Sequence, residues 1–287
     1  MAEGKKKRPF LLRLIIGLVS FVFVIALLLF GVVIFAKVKY DVDLIGTISQ
    51  VKSLTQEPNE ERLDYTYSND DMERAKQDIN ASITDLITYT EEDGYKVNEV
   101  VSQLMTTNIS LDGKETAAIL NSLLNSASKN IEFMNQSVSF ELVQIKYVNI
   151  TENSCDFDIM VKIDVSTLKE KLNFFPANLV ANYIPDNLYI DSNVTVTKTS
   201  TPFEYTVSSN YLTINELDEK GTNELLTTLN KFVEVGNVED FNLQIGKVFV
   251  DVIIGNAEQK GFIYSLKDAG ATDFVFSSET SSIVIVK

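Results

Sequence analysis

The sequence predicts an α+β fold: an N-terminal transmembrane helix followed by an ectodomain in which a curved antiparallel sheet packs against amphipathic helices. Three observations predict it. There is a long uncharged run near the N-terminus, there are segments in which apolar and polar residues alternate, and there are segments in which apolar residues recur every three or four positions. Alternation places apolar side chains on one face of a strand, whereas the longer period places them on one face of a helix.

The uncharged run extends from Leu14 to Ala36 and is 23 residues long. As a helix it would be about 35 Å long, enough to cross a hydrocarbon core of about 30 Å. A cleaved signal peptide is the main alternative, but its apolar region usually covers about 7 to 15 residues and ends at a small-x-small site. Ile34 stands where the first small residue of such a site would be needed. The sequence therefore predicts an uncleaved membrane anchor over residues 14–36.

The charges that flank this run predict its orientation. Residues 1–13 contain five bases, and only Lys37 and Lys39 follow the run closely. Basic residues are retained on the cytoplasmic side of a membrane, so residues 1–13 are expected to form a cytoplasmic tail. The C-terminal domain is then extracellular, and the protein belongs at the cell membrane, in contact with membrane lipids through its single helix.

The rest of the chain is strongly acidic. Residues 40–287 hold 18 bases and 39 acids, a net charge of −21, within a chain whose total is −15. Nucleic-acid binding requires a basic surface, so DNA and RNA are excluded as expected partners. An apolar ligand or another protein of the cell envelope is the expected partner instead.

The residue types that are missing exclude several chemistries. With no His and one Cys, the chain cannot build a Ser-His-Asp triad, a His-ligated zinc site or an internal disulfide. Cys155 alternates with Phe157 and Ile159, and is interpreted as a core residue. The sequence predicts no catalytic, cofactor-binding or metal-binding residue and no cofactor. Carboxylate pairs remain possible catalytic groups, because 39 acids make some pairs inevitable.

Residues 37–63 are predicted to form a stalk or linker, because the segment from Gln56 to Arg62 is polar and interrupted by a proline. The extracytoplasmic α+β domain is predicted to cover residues 64–287. It opens with capping residues at 68–71 and a helix whose apolar positions recur at three- and four-residue steps, namely Met72, Ala75, Ile79, Ile83, Leu86 and Ile87. A second helix is predicted over residues 97–105.

Two segments, 109–128 and 212–233, resemble each other at an offset of 106 positions. Each is predicted to contain a short strand, an aspartate N-cap and an amphipathic helix. Asp112 caps the first helix and Glu115 completes a capping box, whereas Asp218 caps the second without such a glutamate. Two explanations stay open: a duplicated strand–helix module, and two independent junctions with similar capping chemistry.

Alternating segments predict the sheet. The clearest is a strand of about 11 residues that begins at Cys155. An earlier strand over 138–147 changes phase by one residue, which predicts a β-bulge. Further predicted elements are strands over 188–196 and 203–214, a short helix at 166–172, an apolar loop bounded by prolines at 174–185, helices at 245–253 and 257–268, and a closing hairpin at 274–286.

The order of these features resembles a known family. A short basic tail, one transmembrane helix, the stretch ISLDGKETAAILNSLL over residues 109–124 and the long alternating strands together resemble the YpmS-like membrane-anchored proteins of Gram-positive bacteria. That family is similar to tubular lipid-binding (TULIP-like) domains, in which a long helix lies in a curved antiparallel sheet. The resemblance covers residues 9–36 and 109–214, and it implies no catalytic residue.

The predicted function is binding or scaffolding at the outer face of the cell envelope. We expect the helix over 114–128 to lie on the concave face of the sheet, with a space between them that admits a lipid chain or another apolar ligand. The expected lining residues are Ala118, Ile119, Leu123, Phe157 and Ile159. Two alternatives remain: these surfaces pack as an ordinary core, or the protein is a carboxylate-dependent envelope hydrolase or transferase.

Overall fold

The computed structural model describes residues 53, 55–92, 94–98, 104–123, 130–133, 136–164, 166, 185–230 and 238–287. The predicted transmembrane helix at 14–36 lies outside the described residues. So do the predicted helix at 166–172 and the predicted loop at 174–185, apart from residues 166 and 185. Within the described ranges, no helix combines the length and the apolar character needed to span a bilayer.

The described part of the chain is an α+β fold of antiparallel sheets and helices, as the sequence predicted. The helices are α1 (Asn69–Ser82), α2 (Gly113–Leu123), α3 (Glu219–Asn230), α4 (Val238–Ile253) and α5 (Phe262–Ser265), the last followed by a 3₁₀ turn (Leu266–Ala269). The strands are β1 (Ile87–Thr90), β2 (Gly94–Val97), β3 (Ile109–Asp112), β4 (Asn130–Phe133), β5 (Gln136–Val148), β6 (Ser154–Asp164), β7 (Asn187–Lys198), β8 (Tyr205–Ile214), β9 (Asp273–Ser277) and β10 (Ser282–Val286).

These strands form three sheets. Strands β1 and β2 make a hairpin, a three-stranded sheet has the order β3-β10-β9, and a five-stranded sheet has the order β4-β5-β6-β7-β8. The predicted closing hairpin of β9 and β10 is confirmed. Its pairing with β3, which joins Ile285 to Ile109, links the end of the chain to the start of α2.

Helix α1 begins at a capping box and buries the predicted face. The Ser68 hydroxyl accepts a hydrogen bond from the Asp71 amide, and Asp71 accepts one from the Ser68 amide at 2.6 Å. The two side chains therefore satisfy backbone N–H groups that the first turn of a helix leaves unpaired. Met72, Ala75 and Ile79 are buried, as their spacing predicted.

The prediction that this helix continues to Ile87 was wrong. The helix ends at Ser82, Ile83 has extended backbone angles, and Asp85 has a left-handed φ of 57°. Residues 87–90 are β-branched or aromatic, which favours a strand, and they form β1. The helix predicted over 97–105 is not formed at its described residues either, because Val97 ends β2 and residues 104 and 105 are irregular.

Strand β6 confirms the predicted alternation. Cys155, Phe157 and Ile159 are buried on one face of the five-stranded sheet, and Asp158 lies on the other. We call the face that carries Phe157 the inner face and the face that carries Asp158 the outer face. The predicted bulge is also confirmed, because the β5–β6 register shifts between residues 142 and 144.

Helix α4 covers the inner face of β7 and β8, and its predicted helical character is confirmed. Gly246 faces Val194 on β7. A Cβ atom added at Gly246 would lie 2.8 Å from Cγ2 of Val194 and closer still to Cγ1. A side chain at this position would therefore force the helix or Val194 to shift, so glycine allows the close approach of the helix to the sheet.

A buried amide fixes the same helix along the strands. Asn242 accepts a hydrogen bond from the Ser192 hydroxyl at 2.6 Å. Its Nδ2 donates to the Asn193 carbonyl and to the Ser209 hydroxyl, each at 2.8 Å. These partners lie where the register of β7 and β8 shifts between Asn193 and Val194. Because a buried amide requires all of its partners, the network specifies one position of α4.

The two similar strand–helix segments share their capping chemistry. Asp112 and Glu115 form the predicted capping box at α2, with bonds of 2.8 and 2.9 Å. Asp218 accepts a hydrogen bond from the Gly221 amide at 2.7 Å at the start of α3. However, β3 belongs to the three-stranded sheet and β8 is the edge of the five-stranded sheet. The two copies therefore have similar junctions in different sheets.

The C-terminal helical segment begins later than predicted. The sequence predicted a helix over 257–268, whereas α5 begins at Phe262 and continues as the 3₁₀ turn. Gly270 has a left-handed φ of 90° and ends the turn, as predicted. Residues 257–261 are irregular instead, and their loop packs so closely on itself that a Cβ on Gly255 would overlap the backbone of Gly261.

Candidate functional site

Most of the predicted ligand-lining residues lie in the hydrophobic core. Ala118, Ile119, Phe157 and Ile159 are all buried there. The ring of Phe157 contacts the rings of Tyr147 and Phe276, with centroid distances of 4.9 and 6.1 Å. Leu123 ends α2, and its side chain lies outside the described part of the structure. The structure thus brings four of the five together as core residues.

A small cavity lies beside α2. Its lining residues are Leu111, Thr116, Ile119, Leu120, Ile253, Phe262, Ile263 and Ile283. Ile119 is the predicted lining residue among them. The volume is about 10 Å³, which corresponds to about one water molecule. Ligand sites usually measure about 300 to 1,000 Å³, so this cavity does not hold a lipid chain.

The outer face of the five-stranded sheet carries a second candidate site. We call residues 55–66, which cross this face before α1 begins, the strap. Their hydrogen-bond partners on the sheet and its connections are Gln144, Lys146, Asn187, Tyr189, Asp191, Thr213, Asn215 and Glu216. The sequence predicted a linker up to residue 63. These contacts, together with the burial of Pro58, show that the folded part includes residues 55–63 and does not begin only at residue 64.

Arg62 is the centre of the strap. Its Nη2 donates to Oδ2 of Asp191 and to the Thr213 hydroxyl, both at 3.1 Å. Its Nη1 donates to the Asn215 carbonyl. Its own carbonyl accepts a hydrogen bond from Nε2 of Gln144 at 2.8 Å. The guanidinium therefore joins the strap to β7 and β8, while the backbone joins it to β5.

Asp191 is the most unusual group of this face. Only 9% of the residue is exposed, and its Oδ1 atom is buried without a hydrogen-bond donor among the described residues. Burial, and then the neighbouring carboxyl of Asp158, raise the pKa of Asp191 to about 8, whereas Arg62 acts in the opposite direction. The carboxyl of Asp191 is therefore easier to protonate than an ordinary aspartate, while Arg62 favours its charged form.

Strand pairing explains why the two carboxyls meet. Asp158 pairs with Asn193, and Met160 pairs with Asp191, so Asp158 and Asp191 are diagonal neighbours on the same face of adjacent strands. Tyr211 on β8 donates a hydrogen bond to Asp158 at 3.3 Å, and burial followed by that carboxylate raises the tyrosine's pKa. The arrangement can bind a cation such as a guanidinium, or hold a proton between two carboxyls.

A small apolar patch lies next to the carboxyl pair. Val143, Met160 and Tyr189 are buried on the outer face, and Leu63 of the strap packs on them. Nearby, the strap's Asp64 accepts a hydrogen bond from Lys146 at 2.6 Å. The strap therefore contacts the sheet through Leu63 and several charged side chains, and its Pro58 is also buried.

Sequence reasoning missed this site for a definable reason. Asp191 stands between the inner-face residues Ile190 and Ser192, and such an alternating pattern alone places it on the opposite face without indicating what covers that face. In the structure β7 is buried on both faces, because the strap covers it. Arg62 is one base among several acids in a polar, proline-interrupted segment that is typical of a linker. Its position in the sequence does not indicate that it contacts β7.

The described residues provide neither a metal-binding cluster nor a reactive thiol. No group of three or more acidic, Cys or His side chains there could hold a metal ion. Cys155 is buried, and burial raises the pKa of its thiol to about 12, so the thiolate is not formed at neutral pH.

Comparisons with protein-family models, curated proteins and solved structures give no match to this chain. The resemblance to YpmS-like proteins therefore stays a prediction.

Proposed function

We propose that this protein is a single-pass membrane-anchored binding or scaffolding protein whose acidic α+β domain works on the extracytoplasmic side of the cell membrane. The uncharged run from Leu14 to Ala36, with five bases before it, carries the proposal. The folded part starts soon after this run, since residues 55–66 already pack on the sheet. The domain would therefore be held near the bilayer.

Cysteine labelling in intact cells tests the topology. Lys5→Cys and Ser278→Cys place one accessible thiol in the tail and one on the domain, while native Cys155 is buried. A membrane-impermeant maleimide is expected to label position 278 and to leave position 5 unlabelled until the cells are permeabilised. Labelling of position 5 alone would reverse the orientation, and a mature N-terminus after Ala36 would replace the anchor with a signal peptide.

The apolar-ligand form of the proposal has its own test. The core residues Ala118, Phe157 and Ile159 do not line the 10 Å³ cavity, so a lipid chain would have to displace them or use other residues. If the chain holds such a ligand, native mass spectrometry of the purified full chain, released from detergent, should show a tightly held lipid. Without such a lipid, and without binding of a fluorescent fatty acid, the role reduces to protein binding or scaffolding.

The carboxyl pair supports a second candidate, a carboxylate-dependent hydrolase of the cell envelope. Burial and the carboxyl of Asp158 raise the pKa of Asp191, which is the direction of shift that a general acid requires. Hydrolysis of cell-wall polysaccharide by the full chain should then follow a pH profile that Asp191→Asn abolishes and Thr213→Val preserves. No release of reducing ends, with or without Arg62→Gln to open the strap, would eliminate this candidate.

A further inference from the structure

The strap lies on the outer face and is held there by side-chain contacts, without becoming a strand of the sheet. Its contacts to the sheet run mostly through side chains, at Arg62, Glu57 and Asp64. No residue of the strap pairs with a described strand as part of a ladder. The inner face, in contrast, is a continuous apolar core. Segments with few buried apolar contacts and exposed hydrogen bonds open at lower free energy than the core beneath them.

The patch under the strap is small for a permanent core. The patch consists of three outer-face residues, Val143, Met160 and Tyr189. Leu63 of the strap packs on them and is only partly buried. The Arg62 side chain is 26% exposed. Water can therefore compete for its contacts, and undocking would hydrate both Arg62 and Asp191, so that neither charge is left buried without a partner.

Helix α1 has its own support and does not depend on the strap. The capping box of Ser68 and Asp71 closes its first turn, directly after the strap ends. Arg74 joins Asp71 at 2.5 Å to Glu115 of α2 at 3.5 Å. Residues 67 and 68, which have no regular structure, lie between the strap and this helix, and the Tyr67 side chain packs on the core. The chain can therefore bend before Tyr67 while α1 stays on the core.

We propose that the strap is a releasable latch: residues 55–66 undock from the outer face as a unit, through the loss of the Arg62 contacts, while α1 and the sheet remain folded. The undocked segment of 12 residues would reach about 40 Å when extended. Where the proposed membrane anchor is correct, which this step assumes, docking holds the domain near the bilayer and release lets it move away. Release also uncovers Asp191, Asp158 and the apolar patch for a partner.

Hydrogen exchange on the full chain in detergent or liposomes tests the latch. In wild type, amides that are hydrogen-bonded within the strap, such as those of Arg62, Leu63 and Thr66, should exchange faster than amides of β6. Arg62→Gln should speed exchange of the strap by about tenfold or more, because it removes charge-assisted hydrogen bonds. The β6 and α1 amides should keep their wild-type rates.

Lys198→Gln provides the matched control. Lys198 pairs with Asp273 at 2.6 Å, at a part of the sheet that the strap does not contact. Its loss should leave strap exchange at the wild-type rate, since local opening does not require global unfolding. The latch is overturned if the strap exchanges as slowly as β6 in wild type, or if Arg62→Gln accelerates strap and sheet together.

Energy transfer from a dye on Ser278→Cys to labelled lipid in liposomes separates the latch from the anchor. A lower transfer efficiency in Arg62→Gln than in Lys198→Gln is expected. Unchanged efficiency with faster strap exchange would overturn the role of the latch in setting distance from the membrane. If the chain does not associate with liposomes at all, the proposal of a membrane anchor is wrong. The exchange rates alone would then test whether the strap undocks.

Discussion

Arg62 Nη2 lies 3.1 Å from Oδ2 of Asp191, although 129 positions separate the two residues in the chain. The bond places a guanidinium against Asp191, the diagonal neighbour of Asp158, and the carboxylate of Glu216 lies 4.0 Å from the same guanidinium. It also explains why an aspartate occupies the buried middle of β7. A buried carboxylate without a cation would be strongly destabilising.

The cluster predicts a pH-dependent stability. The pKa of Asp191 is raised from 3.8 to about 8 in the folded state, so the folded protein binds more protons than the unfolded chain between these values. The contribution of this group to the free energy of unfolding is therefore complete below pH 3.8 and is lost as the pH rises to about 8. The slope is at most about 1.4 kcal/mol per pH unit for one proton.

Asp191→Asn should remove this slope. Urea unfolding of the full chain, followed by circular dichroism from pH 5 to pH 9, should show a flatter profile for the variant than for wild type. Thr213→Val is the control, because it deletes another Arg62 partner but keeps the titrating carboxyl. Parallel profiles for wild type and Asp191→Asn would mean that Asp191 is ionised in the folded state throughout.

The burial of Phe157 on the inner face predicts that its truncation strongly lowers the free energy of unfolding. This residue is fully buried between the rings of Tyr147 and Phe276. Phe157→Ala should lower the free energy of unfolding by about 3 to 5 kcal/mol, because a cavity replaces the ring. Val275→Ala, at a position that is 38% exposed on β9, should change it by less than about 1 kcal/mol. Similar losses in both variants would show that Phe157 is no better packed than an exposed strand residue.

Local sequence signals predicted the elements that local chemistry determines. The alternation from Cys155 gave β6, the phase change before it gave the bulge, and the aspartate at 112 gave a real helix cap. Ile83 and Ile87 matched a helical period by coincidence, since the chain there forms an extended residue and a strand. The candidate site depended on pairing across the chain, which a linear pattern does not contain.

The hydrogen-bond network at Asn242 predicts that loss of buried hydrogen bonds lowers the free energy of unfolding. Asn242→Leu keeps a similar volume, but it leaves the Ser192 and Ser209 hydroxyls and the Asn193 carbonyl without their partner. Unpaired buried polar groups should lower the free energy of unfolding by about 3 kcal/mol or more. Gln244→Ala, on the exposed side of the same helix, is expected to stay within about 0.5 kcal/mol of wild type. A stable Asn242→Leu variant would mean that packing alone positions α4.

The contact between Gly246 and Val194 allows a double-mutant test of how closely α4 approaches the sheet. Gly246→Ala adds a Cβ that meets both methyl groups of Val194, so the helix or the strand must shift. Overpacking of this kind costs about 1 to 3 kcal/mol. Val194→Ala alone should also destabilise the fold, because Val194 is fully buried. The pair should be less destabilising than the sum of the two, since truncation of Val194 leaves only its Cβ, at 3.1 Å from the new atom. Urea unfolding of the four chains gives the interaction energy, and strictly additive losses would show that the glycine is not required by this contact.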